Sequence, residues 1–147
     1  MLRRELTPQR KKAIKRVLMK RRHGAVRPSA ETVRLVSERD GGRCAVCARE
    51  VSGARGFHWS VHHRRPAGAG GDPRPETHAA GNLVLLHGHG TAGCHGAVES
   101  DRACSEELGL LIPKESIHAP SSVPIQHAVH GRCWLADDGT VAYEEPA

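Results

Sequence analysis

The stretch WSVHHRRP, residues 59–66, sets a short apolar run of strand type against two adjacent histidines and a basic, glycine-rich loop. Successive side chains of a strand point to opposite faces, so His62 and His63 cannot serve one pocket in the same way. Either one is incidental or the two have different tasks. Just upstream, RCAVCARE, residues 43–50, carries Cys44 and Cys47 in a C-x2-C turn. Downstream, residues 64–81 are too rich in Gly and Pro for regular structure, and they deliver the chain to a second apolar strand, NLVLLH, residues 82–87. Residues 88–110 then read as a glycine loop running into a helix that begins near Cys94. Two strands, a long loop and a helix make an α+β unit with histidines at the end of the first strand and the start of the helix.

The flanks are simpler. Thr7 as N-cap and Pro8 at the first helical position predict a basic helix over about residues 8–22, with Ile14, Val17 and Leu18 as its apolar stripe. Ser29 predicts a second helix through about Arg39, stopped by RDGG, with Val33, Leu35 and Val36 for packing. After Pro113, residues 121–143 read as short strands around a DDG turn, a small C-terminal β-hairpin appendage. Three segments follow: a basic helical arm (1–28), a central domain (29–112) and a C-terminal extension (113–147).

Composition narrows the class. Hydrophobic residues make up 38% and aromatic residues 3% of the 147, so the apolar core is small and a structural metal is the natural substitute for buried rings. The sequence shows neither an apolar run of membrane-spanning length nor a signal-peptide h-region, which predicts a soluble, cytoplasmic protein without membrane contact. Five cysteines, an odd number that includes the C-x2-C pair, favour metal over disulfide in that setting. Residues 1–27 hold eleven Lys or Arg against Glu5, a net of +10 in a chain of total +6, so the remainder carries −4. Such an arm, with Lys11, Lys12, Lys15 and Arg16 at its centre, suits a polyanion; the alternative is a solvated tail.

The order His63, Asn82 before LVLL, and His95 within GCHG resembles the HNH endonucleases, whose ββα-metal (His-Me finger) fold cleaves DNA. The resemblance covers about residues 29–112. It is sharpest in VHHRRPAGAGG, GNLVLLHGHGTAGCHG and VES, which together look like the HNH proteins encoded in phage genomes beside terminase genes. It implies that His62 is a ligand of the catalytic metal and His63 the general base that deprotonates the attacking water. It also implies that Asn82 fixes the loop between the strands and that His95 is the second metal ligand. Glu99 lies one helical turn beyond His95, where some relatives place a third ligand. Its carboxylate favours Mg²⁺ or Mn²⁺, with Zn²⁺ or Ni²⁺ as alternatives. Arg64 and Arg65, beside the base, are placed to grip the DNA backbone, with a solvated basic loop as the alternative.

Cys44, Cys47 and Cys94 supply three thiolates, and tetrahedral zinc takes a fourth ligand. Similar sequences carry a cysteine directly after the second strand, where this chain has His87; His89 competes for the place. Cys44, Cys47, His87 and Cys94 therefore form the expected structural zinc site. Cys104 and Cys133 read as buried small hydrophobes, and His23, His58, His78, His118, His127 and His130 as surface or packing residues. With a solvated imidazole at His63, activity should fall below about pH 6.5. The implied activity is metal-dependent hydrolysis of double-stranded DNA, in a host cytoplasm with terminase subunits as partners. A non-catalytic zinc-stabilised DNA-binding module and a restriction or defence nuclease are the alternatives.

Overall fold

A computed structural model describes residues 27–69 and 71–146, together with Pro8, Gln9 and Lys12. The last three are helical and exposed; the rest of the expected basic helix, with Lys11, Lys15 and Arg16, lies outside the described residues, as does His23. From residue 27 onward the chain is a small α+β fold with three helices and two small antiparallel sheets.

Helix α1 spans Ala30–Arg39, and the Ser29 hydroxyl caps it by accepting from the Thr32 amide at 3.0 Å. Strand β1 (Trp59–His63) pairs antiparallel with β2 (Leu83–His87), with Trp59 opposite His87 and His63 opposite Leu83. Between them the Gly- and Pro-rich segment holds two 3-10 turns, Pro75–His78 and Ala80–Asn82. Helix α2 (Gly93–Ser100) and helix α3 (Arg102–Glu107) follow, the latter capped by Asp101.

The β1–β2 pair is covered on both faces. Trp59, Val61, Leu83 and Leu85 pack with Val36 of α1 and Ala80. Val84 and Leu86, on the opposite face, pack with Val98 of α2 and with Cys44, Leu110 and Leu111. That second cluster also takes in Ile125, Cys133 and Leu135. These belong to a three-stranded sheet, β3 (Ile125–His127), β4 (Gly131–Leu135) and β5 (Val141–Ala142), in sequential antiparallel order. The DDG turn joins β4 to β5 as expected, but the C-terminal segment is not an appendage: its apolar side chains complete the core that β2 begins.

The clearest departure from expectation is at Arg64 and Arg65, which are 0% and 2% exposed and face inward. Arg64 Nε donates to Gly109 O at 2.7 Å; Nη1 donates to Gly81 O and Pro120 O at 3.1 and 2.9 Å; Nη2 donates to Val123 O and Pro124 O at 2.7 and 3.3 Å. Arg65 donates to the His118 carbonyl and pairs with Glu76 at 2.7 Å. Neither guanidinium is free to grip a phosphate backbone. The reason is the low apolar content: with so little hydrophobic surface to bury, loops are tied down by an arginine fork that satisfies several carbonyls at once. Burial draws the Arg64 pKa down to about 9, which still leaves it charged at pH 7.

Arg64→Ala will strip five carbonyls of their donor and cost on the order of 3–5 kcal/mol of stability, because buried acceptors left unpaired cost about 1–3 kcal/mol each before relaxation and water entry. Urea unfolding measures this; a loss below about 0.5 kcal/mol, normal for a surface arginine, would contradict the internal role.

Candidate functional site

Two groups of metal-ligating side chains lie along β1, β2 and α2. In the first, the donor atoms of Cys44, Cys47, His87 and Cys94 all lie within 4.8 Å of one another. Local backbone brings them together. The C-x2-C turn is closed by Ala48 N donating to Cys44 O at 2.9 Å, with Ala48 at φ 58°. The loop after β2 crosses itself at Gly88 and Gly93: a Cβ on Gly93 would lie 2.9 Å from His87 O, so both must be glycine for His87 and Cys94 to meet. His87 Nε2 donates to Glu50 O at 3.0 Å, which leaves the Nδ1 lone pair facing Cys47 Sγ at 3.1 Å. At Cys47, burial opposes ionisation, but hydrogen bonds from the Arg49 side chain and backbone, with a smaller one from Cys44, outweigh it and bring the thiol down to about 6. Cys94 is pushed up to about 12 by burial and by the neighbouring Cys44 and Cys47. Three crowded sulfurs cannot all ionise unaided, which is the electrostatic demand that a divalent cation meets. This Cys3His set could hold zinc. His89, the other contender, instead hydrogen-bonds Thr91 and lies outside the cluster.

The second group is His62, His95 and Glu99. His62 sits on the β1 face that packs toward α2, and it is 2% exposed. Its Nε2 donates to Leu110 O at 2.9 Å, so its Nδ1 carries the lone pair. That Nδ1 is 3.1 Å from His95 Nε2, and Glu99 Oε1 lies 3.7 Å from the one and 3.6 Å from the other. Ser60, two residues before His62 and on the same strand face, places its hydroxyl 2.6 Å from His95 Nδ1. The hydroxyl can donate or accept. It donates when His95 carries its hydrogen on Nε2, shared with His62; it accepts once a cation displaces that hydrogen to Nδ1. Burial lowers both imidazole pKa values, that of His62 to about 3, so both rings are neutral donors at pH 7.

His63 occupies the opposite strand face, and its Nε2 lies 2.9 Å from His78 Nδ1. Burial, then the charge of His78, lowers the His63 pKa to about 4. The ring is therefore unprotonated well below the 6.5 of a solvated imidazole, and the expected acid decline in rate moves down accordingly. Asn82 is fully buried: Oδ1 accepts from Arg65 N at 2.7 Å, while Nδ2 donates to Arg65 O at 3.0 Å and to Thr77 O at 2.9 Å. One amide thus clamps both ends of the interstrand loop beside His63.

Sequence reasoning missed three features. His78 and Ser60 carry no local signal, since each acts only through a residue brought to it by folding. The third is a buried carboxylate, Asp40. It is gripped by Arg39 at 2.6 and 2.7 Å and lies 3.3 Å from His127 Nε2 and His130 Nε2. His127 Nδ1 accepts from Val129 N at 3.1 Å, so its hydrogen sits on Nε2, which lies near Asp40 without completing a hydrogen bond. The carboxylate, paired with Arg39 and in contact with both imidazoles, links α1 to the C-terminal sheet. Cys133 is buried as expected; Cys104 is exposed, because α3 turns it outward.

Comparison with family models, curated proteins and solved structures finds no match for this chain. Among the described residues no helix is long and apolar enough to cross a membrane.

Two outcomes check these clusters. Cys44→Ser, or chelation of the wild type, will lower the melting temperature markedly, because metal-binding energy in so small a core is folding energy; an unchanged melt removes the structural metal. Ser60→Ala will weaken cation binding at His62, His95 and Glu99 by about 10- to 100-fold in titration calorimetry, leaving the Cys3His site loaded.

Proposed function

We propose that this chain is a metal-dependent endonuclease of the HNH type, with β1, β2 and α2 as its ββα-metal core, hydrolysing phosphodiester bonds of double-stranded DNA. The observation that supports this best is the convergence of His62 Nδ1, His95 Nε2 and Glu99 Oε1, at 3.1–3.7 Å from one another, on one face of the strand whose next residue is a half-buried, neutral histidine. A binding module has no need of a base there.

The donor spacing bears on the cation. Bonds of about 2.0–2.1 Å give donor separations of about 3.3–3.4 Å in a tetrahedron and about 2.9 Å between octahedral neighbours. The set therefore suits Zn²⁺ at least as well as the Mg²⁺ or Mn²⁺ that the carboxylate alone favours. When bound, a divalent cation would stabilise the charge that develops on the phosphate and the leaving oxygen. His63 takes a proton from the attacking water. Asn82 holds the loop, and with it the base, against reorientation. Because Arg64 and Arg65 are internal, affinity for the polyanion falls to the basic N-terminal arm, which contributes sequence-independent, salt-sensitive binding. The resemblance to phage proteins supplies the setting: action on DNA alongside terminase subunits in an infected cell.

Supercoiled plasmid incubated with wild type and His63→Ala, each with Mg²⁺, Mn²⁺, Zn²⁺ or Ni²⁺ and with EDTA, tests the reading. Nicking or linearisation that needs a cation and is lost in the variant is expected. A folded, zinc-loaded wild type that binds but never cuts DNA would leave a zinc-stabilised binding module.

A further inference from the structure

The 2.9 Å contact between His63 Nε2 and His78 Nδ1 joins two rings whose centroids are 5.1 Å apart at 74°. A neutral imidazole has one donor and one acceptor nitrogen, so one hydrogen lies between these two atoms and its owner decides the chemistry of both rings. If His78 owned it, His63 would carry its own hydrogen on Nδ1 and present no lone pair to water. We infer that His78 is a positioning residue for the base: its Nδ1 accepts a hydrogen bond from His63 Nε2–H, which keeps the His63 Nδ1 lone pair free for the attacking water. The role rests on the nuclease reading; the bond itself rests on geometry.

The surroundings hold His78 in place. It ends the 3-10 turn Pro75–His78, and each of the two residues before it is tied to the segment after His63. Glu76 pairs with Arg65 Nη2 at 2.7 Å. Thr77 O accepts from Asn82 Nδ2, whose Oδ1 in turn accepts from Arg65 N. The turn also closes on itself through Ala79 N donating to Glu76 O at 3.2 Å. Asn82 thus locates the base and its partner with one side chain: Arg65 is two residues beyond His63, and Thr77 is one before His78. Holding both rings in place preserves this hydrogen bond, and a wrong tautomer is among the costlier defects a histidine base can suffer.

The test uses the zinc-loaded full chain as wild type, His78→Ala and His78→Asn, the last keeping an acceptor oxygen near the Nδ1 position. Ring ¹⁵N spectra near neutral pH should show His63 protonated at Nε2 in wild type and His78→Asn, and a tautomer mixture in His78→Ala. Plasmid cleavage should fall on the order of 100-fold in His78→Ala through kcat with KM unchanged, and recover most of that loss in His78→Asn. An Nδ1-protonated His63 in the wild type overturns the inference. So does a His78→Ala protein with wild-type tautomer and rate, or equal impairment of both variants with equally lowered melting temperatures. A wild type inert with every cation removes the nuclease reading and the base role with it, while the ring spectra still decide which histidine donates.

Discussion

A cation buried without a carboxylate partner organises this fold. Arg64 takes carbonyl oxygens from the turn before β2, from the end of α3 and from the segment leading into β3, three stretches otherwise far apart in sequence. In a low-dielectric interior these oxygens stand in for water, and each is worth more than at the surface because no solvent competes. The backbone of Arg64 is used as fully: its N–H donates to Asn82 O at 2.8 Å and its carbonyl accepts from Ile112 N at 2.7 Å. The residue directly after the histidine doublet is therefore held through both its side chain and its backbone. Both imidazoles inherit their placement from it.

Adjacent residues with separate duties recur at both ends of the site. His62 faces α2 and joins His95 and Glu99, while His63 faces away and meets His78. Cys94 joins the Cys3His cluster, whereas His95, its neighbour at the start of α2, turns to His62. A strand end and a helix start are the two places where consecutive side chains diverge most usefully, and the fold sets one against the other. The Cys3His cluster consequently anchors the first turn of α2, and the His62, His95 and Glu99 cluster shares that anchor. Loss of the thiolate site would disturb the imidazole site through the backbone between residues 94 and 95.

Features that depend on neighbours in sequence were legible without a structure. The Ser29 cap, the alternation of β1, the apolar run of β2, the C-x2-C turn and the GCHG helix start all follow from local backbone chemistry. The fourth member of the cysteine cluster came from resemblance to sequences with a cysteine after the second strand, and the folded loop decided for His87 over His89.

Only the tertiary structure decided what faces each polar side chain. From sequence, Arg64 and Arg65 beside a proposed base look like phosphate ligands, since a phosphate oxygen and a backbone carbonyl offer an arginine the same kind of acceptor. Packing chose the carbonyls, because residues 109 and 120–124 fold back over β1. His78, Ser60 and the contact of Asp40 with His127 and His130 were hidden for the same reason: a hydrogen bond between residues 15 to 90 positions apart has no signature until the chain closes the distance. Sequence alone determined which elements form and which donors are present; the fold determined which lone pairs and which hydrogens meet.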